Sequence, residues 1–131
     1  MIYLASPYSH PDPQVCQARY EAACRAAAAL MREGHAIFSP IAHSHGIARY
    51  GLPLDWEYWE RYDLKMLATC EELWVLKLDG WQQSRGVNAE IAAAKTLGKP
   101  VRFVEAEQYG IRSEIGGDGQ TLEPKPLAIQ G

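Results

Sequence analysis

Two acidic residues occupy positions where the helical spacing of the sequence predicts apolar side chains. Asp63 lies within a stripe with steps of three and four residues, whose apolar members are Trp56, Trp59, Met66, Leu67 and Cys70. Glu90 lies within a second stripe, formed by Val87, Ile91, Ala94 and Leu97. An unpaired carboxylate in an apolar interior is costly or is forced to protonate, so folding alone gives no reason for these acids. Their positions indicate acid, base or nucleophile chemistry.

A structural role is the alternative for each acid. Asp63 or Glu90 could form an ion pair with Arg61, with Arg102 or with a histidine. The two hypotheses differ in geometry. Chemistry requires both carboxyl groups to meet in one cavity, whereas structural pairing would neutralise each of them separately.

The helix that carries Glu90 begins with features of an anion site. Ser84 is placed as its N-cap, and the free backbone N–H groups and the helix dipole could bind a phosphate there. Capping alone is the other interpretation of Ser84. Gly86 lies one turn before Glu90 on the same face, so no side chain covers the carboxylate from there. The sequence contains neither a P-loop nor a dinucleotide-binding motif, and no cofactor is predicted.

A pair of histidines invites a metal-site hypothesis. His43 and His45 are followed by Asp55, and histidine and carboxylate are common metal ligands. Residues two apart diverge on a strand or a helix, and no third ligand occurs at motif spacing. We therefore expect substrate contacts from His43 and His45 and no bound metal. Tyr8, which follows a proline, could donate a hydrogen bond to a carboxylate or could serve only packing.

Alternating strand and helix patterns must position these side chains. Strands are predicted over residues 2–6, 35–38, 72–78 and 101–104. Helices are predicted over residues 14–32, 54–70 and 85–97. The segment 39–53, rich in histidine, glycine and proline, is predicted to be a functional loop. This order predicts an α/β fold, Rossmann-like or flavodoxin-like, with a doubly wound, mostly parallel sheet of four to five strands and helices on both faces.

The sheet topology predicts where the site lies. In an open sheet of this kind, the ligand binds beyond the carboxyl ends of the strands. The loop after the first strand contains Ser6, Tyr8 and Ser9, and the loop after the third strand leads to Ser84 and Gly86. These residues are expected to surround the two acids and to contact the substrate.

Composition limits the domain organisation and the partners. The chain of 131 residues and net charge −3 is predicted to form one domain over residues 1–104, with an extension, 105–131, that could reach another subunit. No basic run with interleaved aromatics occurs, so a small nucleotide is a more plausible partner than a nucleic-acid duplex. The N-terminus lacks the apolar segment of a signal peptide or membrane span, so a cytoplasmic protein is expected. The three cysteines lack metal-ligand spacing and are expected to be reduced thiols.

Two segments of the chain resemble the nucleoside 2′-deoxyribosyltransferase superfamily. Residues 3–9, YLASPYS, resemble its first strand and loop. Residues 84–90, SRGVNAE, followed by GKP at 98–100, resemble its signature helix and the start of the next strand. The resemblance covers residues 1–104, and it is strongest to the small branch near the deoxynucleoside 5′-monophosphate N-glycosidases.

The resemblance implies cleavage or exchange of an N-glycosidic bond of a nucleotide or nucleoside, with a (deoxy)nucleoside 5′-monophosphate as the expected substrate. Glu90 would attack the anomeric carbon and form a covalent glycosyl-enzyme, and Tyr8 would orient it. Asp63 would protonate the leaving base, and Ser84 would contact the phosphate. This scheme needs one ionised and one protonated carboxyl group. We expect burial to raise the pKa of Asp63, and the helix N-terminus and the Tyr8 phenol to keep Glu90 charged.

Two other functions are left open by the sequence. The chain could be a non-catalytic module that binds or senses a nucleotide, because a fold does not determine a function. It could also be a metal-dependent hydrolase centred on His43, His45 and Asp55. The resemblance further implies a homo-oligomer, a dimer or a tetramer, in which the C-terminal part of one subunit completes the site of its neighbour.

Overall fold

The computed structural model of the chain describes residues 1–111. Its strands are β1 (Ile2–Ala5), β2 (Ile37–Phe38), β3 (Glu72–Lys77) and β4 (Val101–Glu105). All neighbouring strands pair in parallel, in the order β2-β1-β3-β4. The predicted α/β fold with a doubly wound parallel sheet is confirmed, with four strands in the described part of the chain.

Four helices connect and cover these strands. They are α1 (Pro13–Arg32), α2 (Pro40–Ala48), α3 (Trp56–Ala68) and α4 (Arg85–Thr96). α1 begins where the Asp12 side chain accepts a hydrogen bond from the Gln14 N–H, and Pro13 takes its first position. It ends before Gly34, whose φ of 100° suits glycine. Two short 3₁₀ turns, Trp81–Gln83 and Ala106–Tyr109, follow β3 and β4.

The core lies in two layers, one on each face of the sheet, because successive side chains of a strand point to opposite faces. On one face, Leu4 of β1 and Leu76 of β3 pack with the alanines of α1. On the other face, Tyr3 and Ala5 of β1 pack with residues of α3 and α4. β1 therefore carries Tyr3 on the same side of the sheet as the helix that contains Glu90.

The prediction of a functional loop over 39–53 is wrong for most of its length, because this segment forms α2. Ser39 caps the helix by accepting a hydrogen bond from the Ala42 N–H at 3.1 Å, and Pro40 takes its first position. Pro53 lies beyond the helix end, so neither proline interrupts it. A helix of 9 residues is marginal by itself. Its contacts with α1 and β1 stabilise it, and local composition does not report such contacts.

The packed domain continues beyond the predicted boundary at residue 104. β4 ends at Glu105, and Ala106 and Ile111 are buried in the core on the α1 side of the sheet. The rest of the predicted extension, with its expected role between subunits, lies outside the described residues. No helix within residues 1–111 is both long enough and apolar enough to cross a membrane.

Candidate functional site

A cavity of about 460 Å³ lies at the carboxyl ends of β1 and β3. These are the neighbouring strands from which the sheet winds in opposite directions, where α/β sheets bind their ligands. The predicted site residues that line the cavity are Ser6, Tyr8, Ser9, His45, Asp63, Ser84, Gly86 and Glu90. The structure thus brings together all the predicted site residues except His43.

The two acids meet in this cavity. Asp63 is 5% exposed and Glu90 is 4% exposed, and both line the cavity wall. Within residues 1–111, neither carboxylate has a basic nitrogen within 4.0 Å. Arg102, one of the expected structural partners, lies 3.6 Å from Glu72 instead. Both carboxyl groups therefore line one cavity, and the separate ion pairs of the structural alternative are absent among residues 1–111.

The tyrosine that binds Glu90 is Tyr3, not Tyr8. The Tyr3 hydroxyl, fully buried, donates to Glu90 Oε2 at 2.6 Å. The Tyr8 hydroxyl forms a hydrogen bond of 2.8 Å with His45 Nδ1 instead. The orienting role expected for Tyr8 is therefore wrong as to the residue, although Tyr8 lines the cavity. Strand alternation, which places Tyr3 and Ala5 on one face, was the signal in the sequence that could have identified Tyr3.

Burial controls the protonation of both acids. Burial raises the pKa of Asp63 to about 7, as expected. Burial also raises the pKa of Glu90 to about 8, and the negative charge of Asp63 adds to this rise, while the Tyr3 hydrogen bond opposes it. The expectation that Glu90 stays charged is wrong, because one hydrogen bond does not offset the loss of solvation. At neutral pH the substrate-free pair therefore holds a proton.

Replacing Glu90 with glutamine is expected to stabilise the fold at neutral and alkaline pH. Because the pKa of Glu90 is raised to about 8 in the folded chain, the folded chain holds a proton that the unfolded chain releases at about pH 4 to 5. The free energy of unfolding then falls as the pH rises from about 5 to about 8, on the order of 1 kcal/mol per pH unit. The amide in E90Q has no proton to lose, so the difference in Tm between E90Q and wild type should grow over this range in thermal unfolding.

Glu60 provides the matched control for this measurement. It is exposed on α3, so E60Q removes a carboxylate without removing a buried one. The Tm difference between E60Q and wild type should not grow with pH. A difference for E90Q that stays constant from about pH 5 to about pH 8 would contradict the raised pKa.

The described residues whose buried polar side-chain atoms have no partner all line this cavity. Within residues 1–111, the buried side-chain atoms without a hydrogen-bond partner are Ser6 Oγ, Arg19 Nε, Ser44 Oγ and Asp63 Oδ1. All four residues line this cavity. Folded proteins rarely leave such groups unpaired, because each costs about 1 to 3 kcal/mol. Their convergence indicates a site for a polar ligand.

Sequence reasoning missed Arg19. This residue of α1 is 8% exposed and lines the cavity. Its terminal nitrogens donate to the backbone oxygens of Ser9, at 2.9 Å, and Asp79, at 3.1 Å. The signal was present in the sequence, since Arg19 precedes Ala22 and Ala23 by three and four residues on the apolar face of α1. It is the same anomaly that identified Asp63.

The start of α4 keeps the predicted cap. Ser84 Oγ accepts a hydrogen bond from the Val87 N–H at 3.1 Å. The space beside Gly86 is used by a neighbouring ring, because a Cβ there would lie 3.1 Å from Trp56 Cε3. Gly86 thus allows the Trp56 ring, part of the cavity wall, to approach α4.

The two histidines have different surroundings. His45 lines the cavity, whereas the His43 Nε2 forms a hydrogen bond of 3.1 Å with the Tyr62 hydroxyl and its ring stacks on Tyr62. His43 does not line the cavity with His45, because residues two apart on a helix point in widely different directions. Among the described residues, no three His, Cys, Asp or Glu side chains are arranged to hold a metal ion. The arrangement of these described residues does not support the metal-dependent hydrolase.

A comparison with protein families matches this part of the chain. The family model described as "Domain of unknown function (DUF1937)" matches residues 1–106. No curated protein matches the chain. The matched segment includes every residue that lines the cavity.

Proposed function

We propose an activity for this chain, which belongs to the DUF1937 family, whose description assigns none. The chain cleaves or exchanges the N-glycosidic bond of a nucleotide or nucleoside. The proposed substrate is a (deoxy)nucleoside 5′-monophosphate. The observation that carries the proposal is the pair of buried carboxyl groups, Asp63 and Glu90, without ion-pair partners among the described residues and lining one cavity. Two carboxyl groups that flank a substrate are what a retaining glycosidase requires.

The proposed reaction uses the pair with one proton, in the form in which Glu90 is ionised and Asp63 holds the proton. Because the pKa of Glu90 is higher than that of Asp63, this is the minor one-proton form of the substrate-free pair. Glu90 attacks the anomeric carbon, so that a C–O bond to the enzyme forms while the C–N bond to the base breaks. Asp63 supplies the proton that the departing base takes up. Water, or a second base, then attacks the same carbon and releases Glu90, and Asp63 accepts the proton. The Tyr3 hydrogen bond engages Glu90 Oε2 and leaves Oε1 without a donor in the described chain.

The cavity wall near Asp63 is aromatic. Trp59 lies one turn before Asp63 on α3, and Trp56 lies beside Gly86; both line the cavity. Planar rings of this kind bind nucleobases by stacking. A volume of about 460 Å³ is within the range of small-ligand pockets. These features support binding of a nucleobase next to Asp63, the proposed acid.

The same observation favours an enzyme over a module that only binds nucleotides. Two uncompensated acids beside an anionic ligand would weaken binding, so a pure binding site has no use for them. The test is incubation of the purified full chain with paired deoxy- and ribonucleosides and their 5′-monophosphates, with free base measured by chromatography. Release of base from any pair supports the proposal, and nucleotide binding without release supports the binding module.

The rate of base release is expected to depend on pH as a bell-shaped curve. Below about pH 7 a second proton blocks attack by Glu90, and above about pH 8 the base leaves without a proton, so kcat/KM should be highest between these values. Tyr3→Phe removes the hydrogen bond that lowers the pKa of Glu90. Because the pKa of Glu90 is the higher of the two, the alkaline limb of the curve should therefore move to higher pH. An unchanged alkaline limb would contradict the role of Tyr3.

A homo-oligomer, as a dimer or tetramer, is part of the same proposal. Light scattering on the full chain tests it, with a mass of one chain, 14.6 kDa, as the contradicting result.

A further inference from the structure

Among the described residues, Arg19 is the buried charged side chain of the cavity that the proposed reaction does not use. Its bonds to the Ser9 and Asp79 backbone oxygens tie it to the loops that follow β1 and β3. Gly80 adapts the second loop to it, since a Cβ there would lie 2.7 Å from Arg19 Nη2. The guanidinium is thus held in place before any ligand binds.

The positive charge of Arg19 is not compensated nearby. Within residues 1–111, no carboxylate oxygen lies within 4.0 Å of it. The Asp79 carboxylate acts on it only from a longer range and is exposed. Arg85, the other arginine that lines the cavity, pairs with Glu57. Among the described residues, the two bonds engage only part of the N–H donors of the Arg19 guanidinium, and its buried Nε has no partner there.

Arg19 and the carboxyl pair act at different places in the cavity. Arg19 belongs to α1, which packs on one face of the sheet, whereas Asp63 and Glu90 belong to α3 and α4 on the other face. A ligand whose anomeric carbon lies at Glu90 would therefore reach Arg19 with a group distant from that carbon. A buried, uncompensated guanidinium with free N–H donors suits an anion with several acceptor oxygens.

We infer that Arg19, and not Ser84, is the main contact of the substrate's phosphate monoester and that it selects a nucleoside 5′-monophosphate over the nucleoside. The inference rests on the proposed function for the identity of the ligand. The resemblance assigned the phosphate to Ser84, but the Ser84 oxygen accepts the bond of the helix cap and carries no charge. Arg19 supplies the full charge that a neutral hydroxyl lacks.

Direct binding tests this inference independently of turnover. The full chain is titrated in a calorimeter with inorganic phosphate, and the chain carrying E90Q is titrated with a deoxynucleoside and its 5′-monophosphate. Arg19→Gln should weaken binding of phosphate and of the monophosphate by about 10- to 100-fold and leave nucleoside binding unchanged. Arg32→Gln is the matched control, because Arg32 is exposed on the same helix, and it should change none of the three affinities.

Other outcomes overturn the inference. They are a wild-type chain that does not bind phosphate, an E90Q chain whose affinity for the monophosphate is unchanged when Arg19→Gln is added, and equal losses of affinity for nucleoside and monophosphate. If the Arg19→Gln chain does not fold, Arg19→Lys is used in its place. This variant must still weaken binding of the monophosphate more than binding of the nucleoside. A loss of affinity for the monophosphate but not for the nucleoside, together with no base release by wild type, would support Arg19 as the phosphate contact and reject the glycosidase activity.

Discussion

Replacing Glu90 with glutamine is expected to reduce base release by about 10⁴-fold or more, because the amide cannot form the glycosyl-enzyme. Glutamine keeps the size of the side chain and can still accept the Tyr3 hydrogen bond seen at 2.6 Å. A loss of activity would therefore report the missing nucleophile and not a collapsed site. The measurement is the initial rate of base formation, followed by chromatography on the substrate that wild type cleaves fastest.

The control variant is E60Q, which removes an exposed carboxylate from α3 and should keep the wild-type rate. Intact-mass spectrometry adds a second readout. During turnover the wild-type chain should carry a mass increase equal to the sugar moiety, and E90Q should carry none. Equal rates for E90Q and wild type would reject Glu90 as the nucleophile, and so would an adduct that persists in E90Q.

Replacing Asp63 with asparagine is expected to slow release of a purine base by about 10²- to 10⁴-fold, because the departing base then takes up no proton from the enzyme. The effect should depend on the leaving group. The comparison substrate is an analogue of the same sugar phosphate that carries 4-nitrophenolate, which leaves without protonation. The rate at which D63N cleaves this analogue should fall much less, relative to wild type, than its rate of purine release. Both rates are measured on the same preparation, one by chromatography and one by absorbance.

Asp55 provides the control for the replacement of Asp63. It also lines the cavity, but it is exposed, so D55N tests whether any carboxylate at the site would have the same effect. We expect D55N to change both rates by less than about 10-fold. If D63N slowed the two substrates equally, Asp63 would be a structural residue and not the acid.

The fold followed from local patterns. Alternating strand and helix segments predicted the parallel sheet, and the boundaries of the predicted helices containing Asp63 and Glu90 lie within a few residues of α3 and α4. These patterns are reliable because the period of the apolar positions is a direct consequence of strand and helix geometry. The sequence did not predict α2, because the prolines and glycines of the segment 39–53 suggested a loop, whereas contacts with α1 and β1 stabilise the helix.

What the sequence alone determined about the site is which side chains are out of place in an apolar face. Asp63 and Glu90 were found in this way, and Arg19 could have been found by the same rule. An acid or a base within a buried stripe carries an energetic cost that is visible from the sequence, whatever lies opposite it.

Only the tertiary structure decided which groups meet. Tyr3 and Glu90 are 87 residues apart in the chain. They form a hydrogen bond because α4 packs on the face of the sheet to which the Tyr3 side chain points. The pKa of Glu90 rises for the same reason, since its burial is produced by the whole fold and exceeds the effect of its one hydrogen bond. Partners and solvation depend on segments that are remote in the chain, and no local pattern contains them.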